Sequence, residues 1–139
     1  MAGRYRSIEH TADLAIEVEA DSVEELFQWA AHGMFDLIRG EGPEPAGPAP
    51  TRRIAAEGPD LESRLVAWLG ELLYVHASEG LVLTEVATIE LEDDRVSAGV
   101  ALAPPTPGGV ERELKGVTYH DLSVERHAGG WRARIVFDV

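Results

Sequence analysis

Two polar patches and one chain end hold the residue types that could do chemistry. "EHTAD" sets Glu9, His10, Thr11 and Asp13 at the mouth of the alternating segment "DLAIEVEA". At the other end Asp138 is penultimate, so its side chain and the α-carboxylate of Val139 lie within one residue of each other. If the strands carrying Asp13 and Asp138 are neighbours, the three carboxylates raise one another's pKa unless a cation neutralises them. Oxygen-only ligation suits a hard ion such as Ca²⁺ or Mg²⁺ rather than zinc. The competing reading is a loop solvated by its own polar side chains, with carboxylates that face water.

The second patch is "KGVTYHDL", from Lys115 to Leu122. In a regular strand Lys115, Val117 and Tyr119 share one parity and Thr118, His120 and Leu122 the other. His120 and Asp121 then point to opposite faces, so their adjacency predicts no histidine-carboxylate dyad. A His or Tyr in such a strand also has an ordinary structural reading. Ser63, Ser78 and Ser97 could each be drawn into a Ser-His-Asp set, but none sits on a nucleophile elbow. "GEGPEPAGP" lacks the spacing and the strand-to-helix context of a phosphate loop, so no nucleotide site of the chain's own is expected.

These residues need elements to hold them. Leu14, Ile16, Val18 and Ala20 alternate with polar neighbours, which predicts a half-buried strand whose polar face Asp13 opens. Ser22 and Glu25 have capping-box spacing ahead of Val23, Leu26, Phe27, Ala30, Ala31, Met34, Leu37 and Ile38, an apolar helix face that ends at Gly40. "EGPEPAGPAP" is an exposed connection, and "TRRIAA" supplies a short strand. Asp60 caps a second helix whose Leu61, Leu65, Trp68, Leu69, Leu72, Leu73 and His76 share a face, stopped at Gly80. Then "LVLTEVATIELE" and "RVSAGVAL" predict one hairpin, turning at Asp93-Asp94. "GVTYHDLSVERH" and "WRARIVFDV" predict a second, joined through Ala128-Gly129-Gly130. The fold class is α+β: a mostly antiparallel, mixed sheet of about six strands with two amphipathic helices packed on one face.

The 139 residues fit one domain, 1–139, large enough for a core without staples. The absence of cysteine excludes disulfides and thiolate chemistry and fits a reducing compartment, so the expected location is the cytoplasm. No run is apolar enough to span a membrane, and no apolar leader opens the sequence. Twenty-five acids against 12 bases give a formal charge of −13, which opposes autonomous binding to nucleic acid and suits a basic protein partner or a cation.

"EHTAD", "SVEELFQWAAHGMFDLI", "DLESRLVAWLGELLYVHASEGLVL", "KGVTYHDL" and "GWRARIVFDV" together resemble the archease family over almost the whole chain. Two departures are Leu14-Ala15, where the family commonly has Val or Ile followed by Gly, and Gly116, where Ala is common. The resemblance implies an accessory protein rather than an enzyme. It would activate an RtcB-type RNA-splicing ligase, which uses GTP and Mn²⁺, by promoting guanylylation of the ligase and its multiple turnover. It further implies a hard-cation pocket at Asp13, Asp138 and the carboxylate of Val139, Ca²⁺ foremost with Mg²⁺ or Mn²⁺ as alternatives, and a functional lysine at Lys115. His10, Thr11, Tyr119 and His120 stand as residues that would orient the acidic tip from behind the ligands. Two other readings are kept: a chaperone or specificity partner of another RNA-processing enzyme, such as a tRNA methyltransferase, and a small metal-dependent phosphoesterase.

Overall fold

The computed structural model of the chain describes residues 3–9 and 13–139, with the backbone alone described at Ile8, Glu9 and Asp13. Seven strands and two helices follow in the order β1 (Gly3–Glu9), β2 (Asp13–Ala20), α1 (Val23–Arg39), β3 (Thr51–Glu57), α2 (Leu61–Glu79), β4 (Val82–Leu91), β5 (Arg95–Ala103), β6 (Gly116–His127) and β7 (Gly130–Asp138). The class is α+β, as the hydrophobic pattern predicts. The strands form two sheets, β1-β2-β7-β6 and β3-β5-β4, in which every pairing is antiparallel. The expected single mixed sheet of about six strands is thus divided, and β1 is the strand the pattern did not announce.

Both helices begin as their capping residues dictate. Ser22 Oγ accepts from the Glu25 N–H at 3.2 Å, and Asp60 accepts from the Ser63 N–H at 2.8 Å, so each helix start has a partner for an otherwise orphaned amide. Gly80 ends α2 in the left-handed conformation with φ 73°. Neither helix merely covers one sheet face. α1 packs against β1 and β2 of the first sheet and β4 of the second, and α2 against β3 of the second and β6 of the first, so each helix joins the two sheets. The reason lies in the width of the apolar surface. Gly33 and Phe35 are buried on α1 beside Leu26, Phe27, Ala30, Ala31, Met34, Leu37 and Ile38, more than a single stripe. Trp68 of α2 is fully buried and its indole N–H donates to the Phe27 carbonyl at 3.0 Å, fixing one helix against the other.

Arg64 is the buried charge of α2, 4% exposed. Its guanidinium donates to the carbonyls of Gly58 (3.2 Å), Glu92 (3.0 Å) and Asp93, which clamps the β4–β5 turn to the start of the helix. A buried guanidinium is tolerable because these carbonyls replace its lost water. On the outer face of the first sheet β1 is held to β2 by cross-strand ion pairs, Arg4 with Glu19 and Arg6 with Glu17. Hydrogen bonding from Arg6 holds the Glu17 carboxyl below its usual range, with Arg134 acting in the same direction. Among the described residues no helix is long and apolar enough to cross a membrane.

Candidate functional site

The site is built at one end of β7. Antiparallel register sets Asp138 opposite Asp13 of β2 on one side and opposite Gly116 of β6 on the other. The first and last expected strands are therefore neighbours, and the two aspartates share a rung. Phe137 is fully buried, Ile135 and Val136 before it are buried too, and Asp138 at the strand end is exposed. The Asp138 carboxylate lies over Gly116, 3.8 Å from where a Cβ at that position would stand, so alanine there would make an ordinary contact and glycine is no steric requirement.

Lys115 immediately precedes β6, and its N–H donates to the Asp138 carbonyl at 2.8 Å. Its place is set by residues that periodicity did not single out. The amides of Glu111 and Arg112 both donate to the Ile38 carbonyl at 2.9 Å, and Arg112 Nη1 donates to the Leu37 carbonyl at 3.2 Å. These bonds use carbonyls at the end of α1 that the helix leaves open. Leu114 is buried, 5% exposed, and pins the segment one residue before the lysine. Lys115 itself is exposed and borders a groove of about 620 Å³ whose wall includes His76, Val110 and Leu114. It is the sequence's only lysine beside eleven arginines.

The strand through "TYHDL" is not regular, and this corrects the parity argument. Thr118 pairs with Val136 and Ser123 with Arg134, so four residues of β6, Tyr119 to Leu122, bulge out opposite the single residue Ile135. Asp121 turns the chain with φ 53°, and that twist brings neighbours together that a flat strand would separate. His120 Nε2 and Asp121 Oδ2 lie 3.3 Å apart, and the His120 N–H donates to Thr118 Oγ1 at 3.1 Å. The histidine-carboxylate pair that parity excluded therefore exists, exposed to solvent. Tyr119 stands out from the same bulge, 65% exposed.

His10 and Thr11 lie outside the described residues. Among the described residues no three His, Asp or Glu side chains converge as a cation cluster. The set expected here draws on Asp13, described in backbone only, and on a main-chain carboxylate at Val139. All its donors are oxygens, which fits Ca²⁺, Mg²⁺ or Mn²⁺ and not a thiophilic metal. His76 has a structural role on α2: its Nδ1 hydrogen-bonds the Leu81 carbonyl at 2.8 Å and its ring meets Phe35 edge-on at 5.9 Å.

Residues 5–139 match the model of the archease protein family (MTH1598/TM1083). The chain belongs to the archease family. It is similar to the protein archease of Methanosarcina mazei, 36% identical over 98% of this chain and 96% of that one. The protein archease of Methanopyrus kandleri is 37% identical over 97% and 99% of the two chains. The fold resembles the solution structure of Methanobacterium thermoautotrophicum protein 1598, with a TM-score of 0.76 and 26% identity over 97% of this chain and 98% of that one. It also resembles the crystal structure of an archease from Thermotoga maritima, described as a possible chaperone, with a TM-score of 0.64 over 96% of each chain. At 22% identity that second likeness bears on the fold alone.

Proposed function

We propose that this chain is a non-enzymatic activator of an RtcB-type RNA-splicing ligase, acting through an acidic, cation-holding tip beside Lys115. The observation that carries the reading is the rung Asp13–Asp138–Gly116 with the Lys115 amide bound to the Asp138 carbonyl. It brings the backbones of two aspartates and a lysine together from segments apart in sequence. A hard cation held by carboxylates next to an ammonium suits a site that handles phosphates by neutralising charge. In this reading Asp13, Asp138 and the carboxylate of Val139 hold Ca²⁺, Mg²⁺ or Mn²⁺, and Lys115 contacts nucleotide phosphate or a partner carboxylate. His10, Thr11 and His120 orient the acidic groups. The chemistry of RNA joining belongs to the ligase, and the chain itself, with its charge of −13, binds no nucleic acid. Such work places it in the cytoplasm.

The test is multiple-turnover ligation by the cognate ligase with GTP and Mn²⁺, with wild type beside Asp13→Ala, Asp138→Ala and Lys115→Ala. Acceleration by wild type and its loss in all three variants is the expected result. A competent ligase indifferent to the wild-type protein would overturn the assignment. Calorimetric titration of Ca²⁺ into wild type and Asp138→Asn separately checks the cation, and a C-terminal extension that converts the Val139 carboxylate to an amide should weaken it. A second reading has the same acidic end serve a different partner. Here the chain is a chaperone or specificity partner of another RNA-processing enzyme, such as a tRNA methyltransferase, and co-purification from its own cells distinguishes the two partners.

A further inference from the structure

The β6 bulge has features that the cation site does not require. It lies on an edge strand of its sheet, and four residues stand opposite one. Asp121 occupies left-handed backbone, φ 53°, where a side chain is strained and glycine is not. Thr118, His120 and Asp121 hold that shape through the contacts at 3.1 and 3.3 Å. Two hydrophobic side chains leave the bulge in different ways: Leu122 packs against the core, whereas the Tyr119 ring is 65% exposed. A bulge that only protected an edge from strand pairing would need no outward aromatic ring.

A tyrosine presented on a fixed turn offers a large contact area with few torsions to freeze, the profile of an interface anchor. It stands three residues beyond Gly116, at the end of the sheet that carries Asp138 and Lys115. Exposed carboxylates at Asp121, Asp138 and Glu113 surround this end of a chain whose net charge is −13. Enzymes that grip RNA present basic surfaces, which complement such an end.

We propose that Tyr119, set out by the strained bulge of β6, is the anchor through which this protein docks on its partner, seating in a pocket at the rim of the ligase's basic cleft. The inference rests on the ligase reading above. Binding of the full-length chain to the cognate ligase is measured for wild type, Tyr119→Ala, Tyr119→Phe and Tyr74→Ala. Tyr74 on α2 is 68% exposed and serves as an aromatic control on regular backbone. Tyr119→Ala should weaken binding about tenfold or more, as loss of an anchor does. Tyr119→Phe and Tyr74→Ala should bind as wild type does, and the melting temperature and Ca²⁺ affinity of Tyr119→Ala should not move. Unchanged binding by Tyr119→Ala overturns the proposal. So does equal weakening by Tyr74→Ala, which would mean that any exposed ring serves, and so does lost Ca²⁺ affinity in Tyr119→Ala, which would mean that the ring acts through the cation site. If wild type neither binds nor activates a competent ligase, the ligase reading has failed and carries this inference down with it.

Discussion

A lone lysine among eleven arginines invites a test of what the ammonium supplies that a guanidinium cannot. A guanidinium can make a flat, two-pronged contact, as Arg52 does with both oxygens of Glu79 at 2.8 and 2.9 Å. An ammonium is a compact, strongly hydrated point charge on a flexible stem, and it fits where a planar fork does not. Lys115→Arg should therefore keep the charge and the fold yet retain only about a tenth of the ligase activation, read as multiple-turnover rate. Activation equal to wild type would show that charge alone suffices. At this scale the aspartates were legible in the sequence because each sits at a strand end, and register then set them opposite each other. The His120–Asp121 contact was not, because alternation assumes one residue per rung and the bulge places four opposite one.

Among the elements, the segment 110–115 matters more than its irregular sequence suggests. It is tied to the end of α1 through the Ile38 carbonyl and pinned by Leu114, so α1 indirectly sets where Lys115 stands. Replacing Leu114 by Ala should cost about 2–3 kcal/mol of stability, typical of a buried leucine, in a denaturant melt. It should also lower activation at temperatures where the variant remains folded, since the lysine loses its support. The helices were readable because Ser22, Asp60 and Gly80 mark their ends by mechanisms local to a few residues. β1 was not, because the face that carries Tyr5 otherwise has only Gly3 and an exposed Ser7, and Arg4 and Arg6 stand on the other. What holds it is its backbone ladder with β2 and the packing of Tyr5 against the core beside Trp29, with Arg4 and Arg6 paired to glutamates on the outer face, none of which alternation within β1 reports.

For the whole molecule, the division into two sheets joined by helices was hidden for a related reason: periodicity reports that a helix is apolar, not how many sheets it serves. That architecture half-buries His32 of α1 against Trp29, their rings 5.6 Å apart, and burial lowers its pKa from 6.5 despite an opposing pull from Glu85. The unfolded chain then binds a proton more readily than the folded one. This contribution to stability is present above pH 6.5 and is lost as pH falls from there toward the lowered value. Burial raises the Asp36 pKa above 3.8, so that group acts with the opposite sign, its cost to stability relieved as pH falls through the raised value toward 3.8. The melting temperature should fall between pH 7 and 5.5, and His32→Gln should flatten that slope; an unchanged slope would assign the loss to other groups.

The single lysine also makes the protein addressable by a protease. An endoprotease specific for lysine has one bond to cut, Lys115–Gly116, and the cut would sever the β6–β7 hairpin, with Asp138 on it, from the rest of the chain. That bond adjoins an amide held by the Asp138 carbonyl, so cleavage requires the acidic tip to open locally. The rate at which one band becomes two is a clock for that opening, and anything that grips the tip should slow it.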